Sequence, residues 1–207
     1  MSTTRLRLFF NFEKEERWLA AMAGKGFELV KKNCCGLYRF RSTLPEDAVI
    51  RIDYRFFKGK NDLADYKLLF EDSGWKHLAG SRCSGTQYFR KKSGNADDEI
   101  FSDTASKAGR YQRLAAFSFS LAAALLPVMT VVLTLRQASY RAFLDPGLLY
   151  QTPGLWEKTG ADFWGAFLFE TPFALLRGLP LLIFPAMVIF AFANAFCAVA
   201  AYRRGVR

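Results

Sequence analysis

The sequence predicts an α+β fold in which a strand-helix-strand-strand unit occurs twice, forming a two-layer antiparallel sheet with two helices, followed by a two-span transmembrane helical hairpin. Three observations carry this. Set against itself at an offset of 48 residues, the chain aligns Trp18 with Tyr66, Met22 with Phe70, Gly26 with Gly74, Phe27 with Trp75 and Cys35 with Cys83. A repeat of that length is the signature of a duplicated supersecondary unit. The composition then breaks near residue 113: residues 1–113 hold 22 Lys and Arg against 15 Asp and Glu, whereas residues 114–202 hold four of each. Finally, "LAAFSFSLAAALLPVMTVVLTL" (114–135) is free of charge and would cover roughly 33 Å as a helix, enough for a hydrocarbon core.

The elements follow in order. "RLRLFF" (5–10) is expected to be the first strand, matching "IDYRFF" (52–57) with a one-residue slip. A helix over about 12–24 has Asn11 as its cap, Glu13, Glu15 and Glu16 in the first turn to complement the helix dipole, and an apolar stripe of Trp18, Leu19 and Met22. Gly26 stops it, as Gly74 stops the helix over about 62–72, whose start "DLAD" resembles a capping box and whose stripe is Leu63, Tyr66 and Phe70. "VIRIDYRF" alternates strictly, with Ile50, Ile52, Tyr54 and Phe56 on one face and Arg51, Asp53 and Arg55 on the other; Tyr38 and Phe40 alternate with Arg39 and Arg41 in the same way. These elements make a domain over residues 1–95, a linker and juxtamembrane segment over 96–113, and a transmembrane region over 114–207.

"GLPLLIFPAMVIFAFANAFCAVAAY" (178–202) is the second uncharged span. Lys107, Arg110 and Arg113 precede the first span, and Arg203, Arg204 and Arg207 follow the second, so both termini are expected on the cytoplasmic side. Between the spans, "FWGAFLFETPFALL" (163–176) is too short to cross and is expected to lie at the interface or re-enter the membrane, with Trp164 at headgroup level and Trp156 as a further anchor. Asn194, beside Ala191, Ala193, Ala195 and Ala198, is the candidate for helix–helix association.

Catalytic chemistry has no foothold in these residues. His77 is the only histidine and reads as structural, the serines lack a nucleophile-elbow context, and phosphate-binding glycine loops are absent. Neither CxxC pairs nor a second histidine support a metal among Cys34, Cys35, Cys83 and Cys197, which are expected reduced. The acids Asp97, Asp98 and Glu99 fit a solvated linker. If both helices cover one face of the sheet, the other is an open cationic face. It would be formed by Arg5, Arg7 and Phe9; Arg39 and Arg41; Arg51, Asp53, Arg55 and Phe57; and Gln87, Phe89 and Lys91. From it we take Arg39, Arg41, Arg51, Arg55 and Phe57 as the candidate ligand- or lipid-facing residues. An ordinary solvent face, a lipid headgroup surface and a site for an anionic ligand or acidic segment are the competing readings; nucleic acid lacks a supporting motif.

The run "EKEERWLAAMAGKGFEL", followed by "YRF", "IRIDYRF", "DYKLLFEDSGWKHLAG" and "QYFRKK", resembles the bacterial domain-of-unknown-function family 2812 over about residues 10–95. The resemblance implies a membrane-associated bacterial protein with such a domain ahead of C-terminal spans, hence an inner-membrane location, and it supplies no activity, cofactor or catalytic residue. The expected function is a non-enzymatic binding or regulatory module that meets a ligand or protein partner near the membrane. The alternative is an accessory subunit of a membrane complex, recognised through its spans.

Overall fold

The computed structural model describes residues 2–33, 36–92, 99–101, 103–134 and 140–205. Cys34, Cys35, Asp97, Asp98 and Arg207, singled out above, lie outside these residues. The elements run β1 (Ser2–Leu6), α1 (Phe12–Ala23), β2 (Phe27–Lys32), β3 (Leu37–Ser42), β4 (Ile50–Tyr54), α2 (Lys60–Asp72), β5 (Trp75–Ala79), β6 (Thr86–Lys91), α3 (Thr104–Thr134) and α4 (Gly160–Gly205). Short 3₁₀ turns at Tyr140–Phe143, Pro146–Leu149 and Leu155–Glu157 lie between the last two helices. The chain divides into two compact units, residues 1–116 with 194–207, and residues 117–193.

In the first unit the strand-helix-strand-strand module is present twice, and each copy closes its own three-stranded antiparallel sheet, ordered β1-β3-β2 and β4-β6-β5. The copies repeat even their irregularities. The register breaks between Leu29 and Lys31 in β2 and between His77 and Ala79 in β5, so the skipped residues, Val30 and Leu78, stand in corresponding places. Gly26 and Gly74 both end their helix in the left-handed region, at φ 79° and 84°. At Gly26 an added Cβ would stand 2.8 Å from the Thr43 carbonyl oxygen. Gly26→Ala therefore forces both an unfavourable φ and a backbone clash, and should cost at least about 1 kcal/mol in denaturant titration.

The first strand is Ser2–Leu6 rather than 5–10, so it matches β4 at the same 48-residue offset without a slip. Asn11 caps α1 as expected, its Oδ1 accepting from the Lys14 N–H at 2.8 Å. α2 starts slightly earlier than expected, at Lys60; the Asp62 carboxylate accepts the Gly59 N–H at 3.0 Å.

The two helices do not share one face of one sheet. α1 buries Phe12, Leu19 and Met22 in a core that takes Leu29, Tyr38 and Phe40 from the first sheet and Ile50, Ile52, Tyr54 and Tyr88 from the second. α2 lies on the opposite face of the second sheet, where Tyr66, Leu63 and Phe70 pack on Trp75, Phe89 and Phe57. The second sheet is thus covered on both sides, while the outer face of the first stays open.

α3 begins at Thr104, so the last part of the expected linker is helical. Its Tyr111 and Ala115 enter the α1 core together with Ala198 of α4. Nearby, Gly205 approaches so closely that an added Cβ would stand 3.3 Å from the Ala108 Cβ. In the second unit, Phe119 meets Phe192 with ring centroids 6.4 Å apart.

α3 and α4 are both long and apolar enough to cross a membrane. Only 11% and 22% of their most apolar windows are buried, which is unlike the core helix of a soluble protein. α4 is one helix of 46 residues, or roughly 69 Å, so residues 163–176 are continuous with the uncharged stretch that follows rather than a separate segment. Arg177 does not interrupt it. Its guanidinium bonds the Leu149 carbonyl oxygen at 2.5 Å and Glu170 Oε1 at 2.7 Å, and Glu170 also accepts from the Thr152 hydroxyl at 2.7 Å. These bonds strap the preceding loop to the helix, and Tyr150 stacks on Phe167 at 5.2 Å alongside them.

Candidate functional site

The expected cationic face is divided by the fold. Arg39 and Arg41 are exposed on the outer face of the first sheet, opposite Thr4 and Ser2 of β1; Arg41 pairs with Glu28 of β2 at 2.5 Å. Arg5, by contrast, stands opposite Tyr38, which places it on the core face, and the Arg7 guanidinium lies over Phe9 and Trp18 at 4.9 and 5.4 Å. Arg51 of β4, with Arg55 and Phe57 just past its end, lies on the side that α2 covers. Arg51 turns back to the Ile50 carbonyl at 3.1 Å, Arg55 lies over Tyr66 at 5.5 Å, and Phe57 is packed 4.8 Å from Tyr66. Asp53, Gln87 and Phe89, placed on the open face by alternation, are buried. The cause is simple: a strand triplet with a helix on one side and a shared core on the other keeps most of its side chains from solvent, although Arg55, past the end of β4, stays exposed.

The chemically concentrated part of the molecule lies around the first turn of α1. Glu15, 1% exposed, sits between the central strands of the two sheets, where its Oε1 accepts from the hydroxyls of Tyr38 (β3) and Tyr88 (β6), each at 2.6 Å. The Lys32 ammonium bonds the same oxygen at 3.0 Å and lies 5.2 and 5.7 Å from the centroids of the two tyrosine rings. A buried carboxylate beside aromatic faces is a setting for an ammonium group, and here the chain supplies its own. Burial, reinforced by the Glu15 charge, pushes both phenols far above their ordinary range, so they remain protonated donors.

Glu13 and Glu16, one helical turn apart on the same side of α1, receive α3. Arg110 is wholly buried. Its Nη1 bonds Glu16 Oε1 at 2.6 Å and the Ile52 carbonyl at 2.7 Å, while its Nη2 bonds Glu13 Oε1 at 2.8 Å. The Ile52 N–H donates to the same Glu16 oxygen at 2.9 Å. Tyr111 donates its hydroxyl hydrogen to Glu13 Oε2 at 2.5 Å and accepts from the Phe12 N–H at 2.9 Å. Burial raises the Glu16 carboxyl above its usual range despite Arg110. At Glu13 burial acts the same way, but the Tyr111 hydroxyl, the helix backbone and Arg110 together outweigh it and hold the group low.

Arg113 continues the clamp one turn on. Its Nε bonds the Tyr54 carbonyl and its Nη2 bonds Asp53 Oδ1, each at 2.6 Å, and Asp53 Oδ2 accepts from Tyr66 of α2 at 2.7 Å. β4 is an edge strand, and its outward backbone groups at Ile52 and Tyr54 are met by side chains of α1 and α3 instead of another strand. Three arrangements thus converge on α3: carboxylates of the first repeat, the edge of the second, and through Asp53 the second repeat's own helix.

His77 holds Gln87 Oε1 at 3.0 Å and stands edge-on to Phe89 at 5.3 Å. Burial, partly offset by Gln87, lowers its pKa below the ordinary 6.5. The folded chain then binds fewer protons than the unfolded one just below pH 6.5. Stability contributed by neutral His77 should be complete above that pH and fall as pH drops through the depressed value. An NMR titration of the single histidine with a midpoint above 6.5 would contradict this.

Among the described residues, no group of three or more His, Cys, Asp or Glu side chains is arranged to hold a metal ion. Cys83 and Cys197 are exposed thiols. Of the alanines beside Asn194, Ala191, Ala195 and Ala198 are buried, and Ala198 packs within the chain's own core with Ala115.

The fold and the clamp define a duplicated α+β module bolted to the start of an apolar helix. The chain belongs to the DUF2812 family, described as proteins of unknown function, whose model matches residues 11–123, more than half of its length. The match runs past the strands and takes in Lys107, Arg110, Tyr111 and Arg113. No curated protein and no solved structure matches the chain.

Proposed function

We propose that this is a membrane-anchored, non-enzymatic binding and regulatory protein of a bacterial inner membrane, with both termini in the cytoplasm. Its α+β module engages a ligand or protein partner, and α3 transmits the state of the module to the membrane. The observation that carries the reading is Arg110: a fully buried cation on the helix that becomes the first span, held by the first repeat and by the edge strand of the second. A shift of one repeat against the other alters that seat and therefore the helix. The cationic flanks of the apolar helices support the orientation. The contact surface in this proposal is the outer face of the first sheet, where Arg39 and Arg41 are exposed beside exposed Leu6 and Leu37; it suits an acidic segment with apolar side chains.

In-cell cross-linking followed by mass spectrometry tests the proposal. A partner linked through residues 2–92, and lost in the charge-reversed pair Arg39→Glu and Arg41→Glu, is the expected result. Partners linked only through residues 117–193 would overturn it and leave the accessory-subunit reading.

A further inference from the structure

We propose that a cavity at the base of the apolar helices seats the phosphate of an anionic phospholipid headgroup. This rests on the membrane reading above. The cavity has a volume of about 260 Å³ and is walled by Asn11 and Glu13 of α1, Thr104, Lys107 and Tyr111 of α3, and Arg204 of α4.

Its level along the helices fits a headgroup. The uncharged stretch of α3 starts at Leu114 and that of α4 ends at Tyr202. Arg204 therefore lies roughly 3 Å, and Lys107 roughly 10 Å, beyond the apolar limits of their helices. The headgroup layer adds roughly 5–8 Å on each side of the hydrocarbon, so the cavity falls at and just beyond that layer. Ala108 and Gly205, where the two helices come together, also line it.

The chemistry fits as well. Two cations on different helices border one concavity, which Thr104 and Asn11 also line. A guanidinium fork and an ammonium are the usual partners of phosphate oxygens, and basic pockets between membrane helices bind lipid headgroups. Glu13, the acid in the wall, is answered from inside by Arg110 at 2.8 Å. Lys107 is paired with Glu99 at 2.8 Å, with both side chains well exposed. Such a pair is weak, so Lys107 is available to a phosphate.

The test is thermal unfolding of the delipidated full chain in neutral detergent, titrated with phosphatidylglycerol, phosphatidylcholine or inorganic phosphate. Phosphatidylglycerol should raise the midpoint by roughly 4 °C or more, phosphatidylcholine by clearly less. The Lys107→Ala, Arg204→Ala double variant, with unchanged circular dichroism, should lose most of the shift. Equal shifts in the two proteins would overturn the proposal. So would a full response to millimolar inorganic phosphate alone, which would make the ligand a soluble phosphate. Alkaline carbonate extraction of cell membranes separates the two levels: a protein that stays in the pellet but shows no headgroup dependence refutes the cavity alone, whereas release to the supernatant refutes the membrane reading with it.

Discussion

Replacing Arg110 with methionine should destabilise the module by roughly 3–5 kcal/mol, the cost of leaving buried charge without its partner. Glu16 would keep only the Ile52 N–H, Glu13 would keep Tyr111 and the helix backbone, and the Ile52 carbonyl would lose its donor. Urea titration of the full chain in nanodiscs, followed through Trp18 and Trp75, reads the change. The second variant, Arg110→Met with Glu16→Met, should recover part of the loss, because an apolar pair of similar size replaces a buried ion pair at little cost. A single variant within about 1 kcal/mol of wild type, the range of an exposed pair, would show that the clamp is ornamental.

Glu15→Ala is the other large expected effect, again roughly 3–5 kcal/mol, since two buried hydroxyls and an ammonium share its Oε1 and hydrogen bonds to a charged group contribute about 1.5–3 kcal/mol each without being additive. Glu15→Gln, which keeps an acceptor, should lose less. In that variant Lys32 becomes a cation without a counter-charge, so adding Lys32→Met to Glu15→Gln should cost much less than Lys32→Met costs wild type. Additive losses in this cycle would mean that Lys32 and Glu15 are not energetically coupled.

Much of the fold was legible because it is locally written. The glycines that end α1 and α2, the alternation of Ile50, Ile52 and Tyr54, and the 48-residue self-match each reflect backbone or periodicity rules that act within a few residues. The covering of the second sheet was not legible in this way. Alternation told which residues of β4 share a face, but not which face α2 would take, since that depends on contacts across the whole module. Phe57 and Phe89 on the supposedly open face were the available signal.

The clamp was missed for a related reason. Arg110 and Arg113 precede an apolar run, where topology alone explains them, just as the helix dipole alone explains Glu13, Glu15 and Glu16. A sufficient explanation for each set hid the fact that the two sets bind each other. Yet Glu15 shares the helical spacing of Leu19 and Met22, four and seven residues on, so a carboxylate stood on the apolar stripe of α1 in plain view. An acid at such a position needs buried donors, and the tyrosines of β3 and β6 supply them.

Hydrogen exchange over residues 104–113, measured by mass spectrometry on the full chain in nanodiscs, tests most directly whether the start of α3 is part of the module. The clamp predicts amides protected together with those of α1 and β4, and a loss of protection in all three when Arg110 becomes methionine. Rapid exchange of 104–113 in the wild-type chain, indifferent to that substitution, would contradict it.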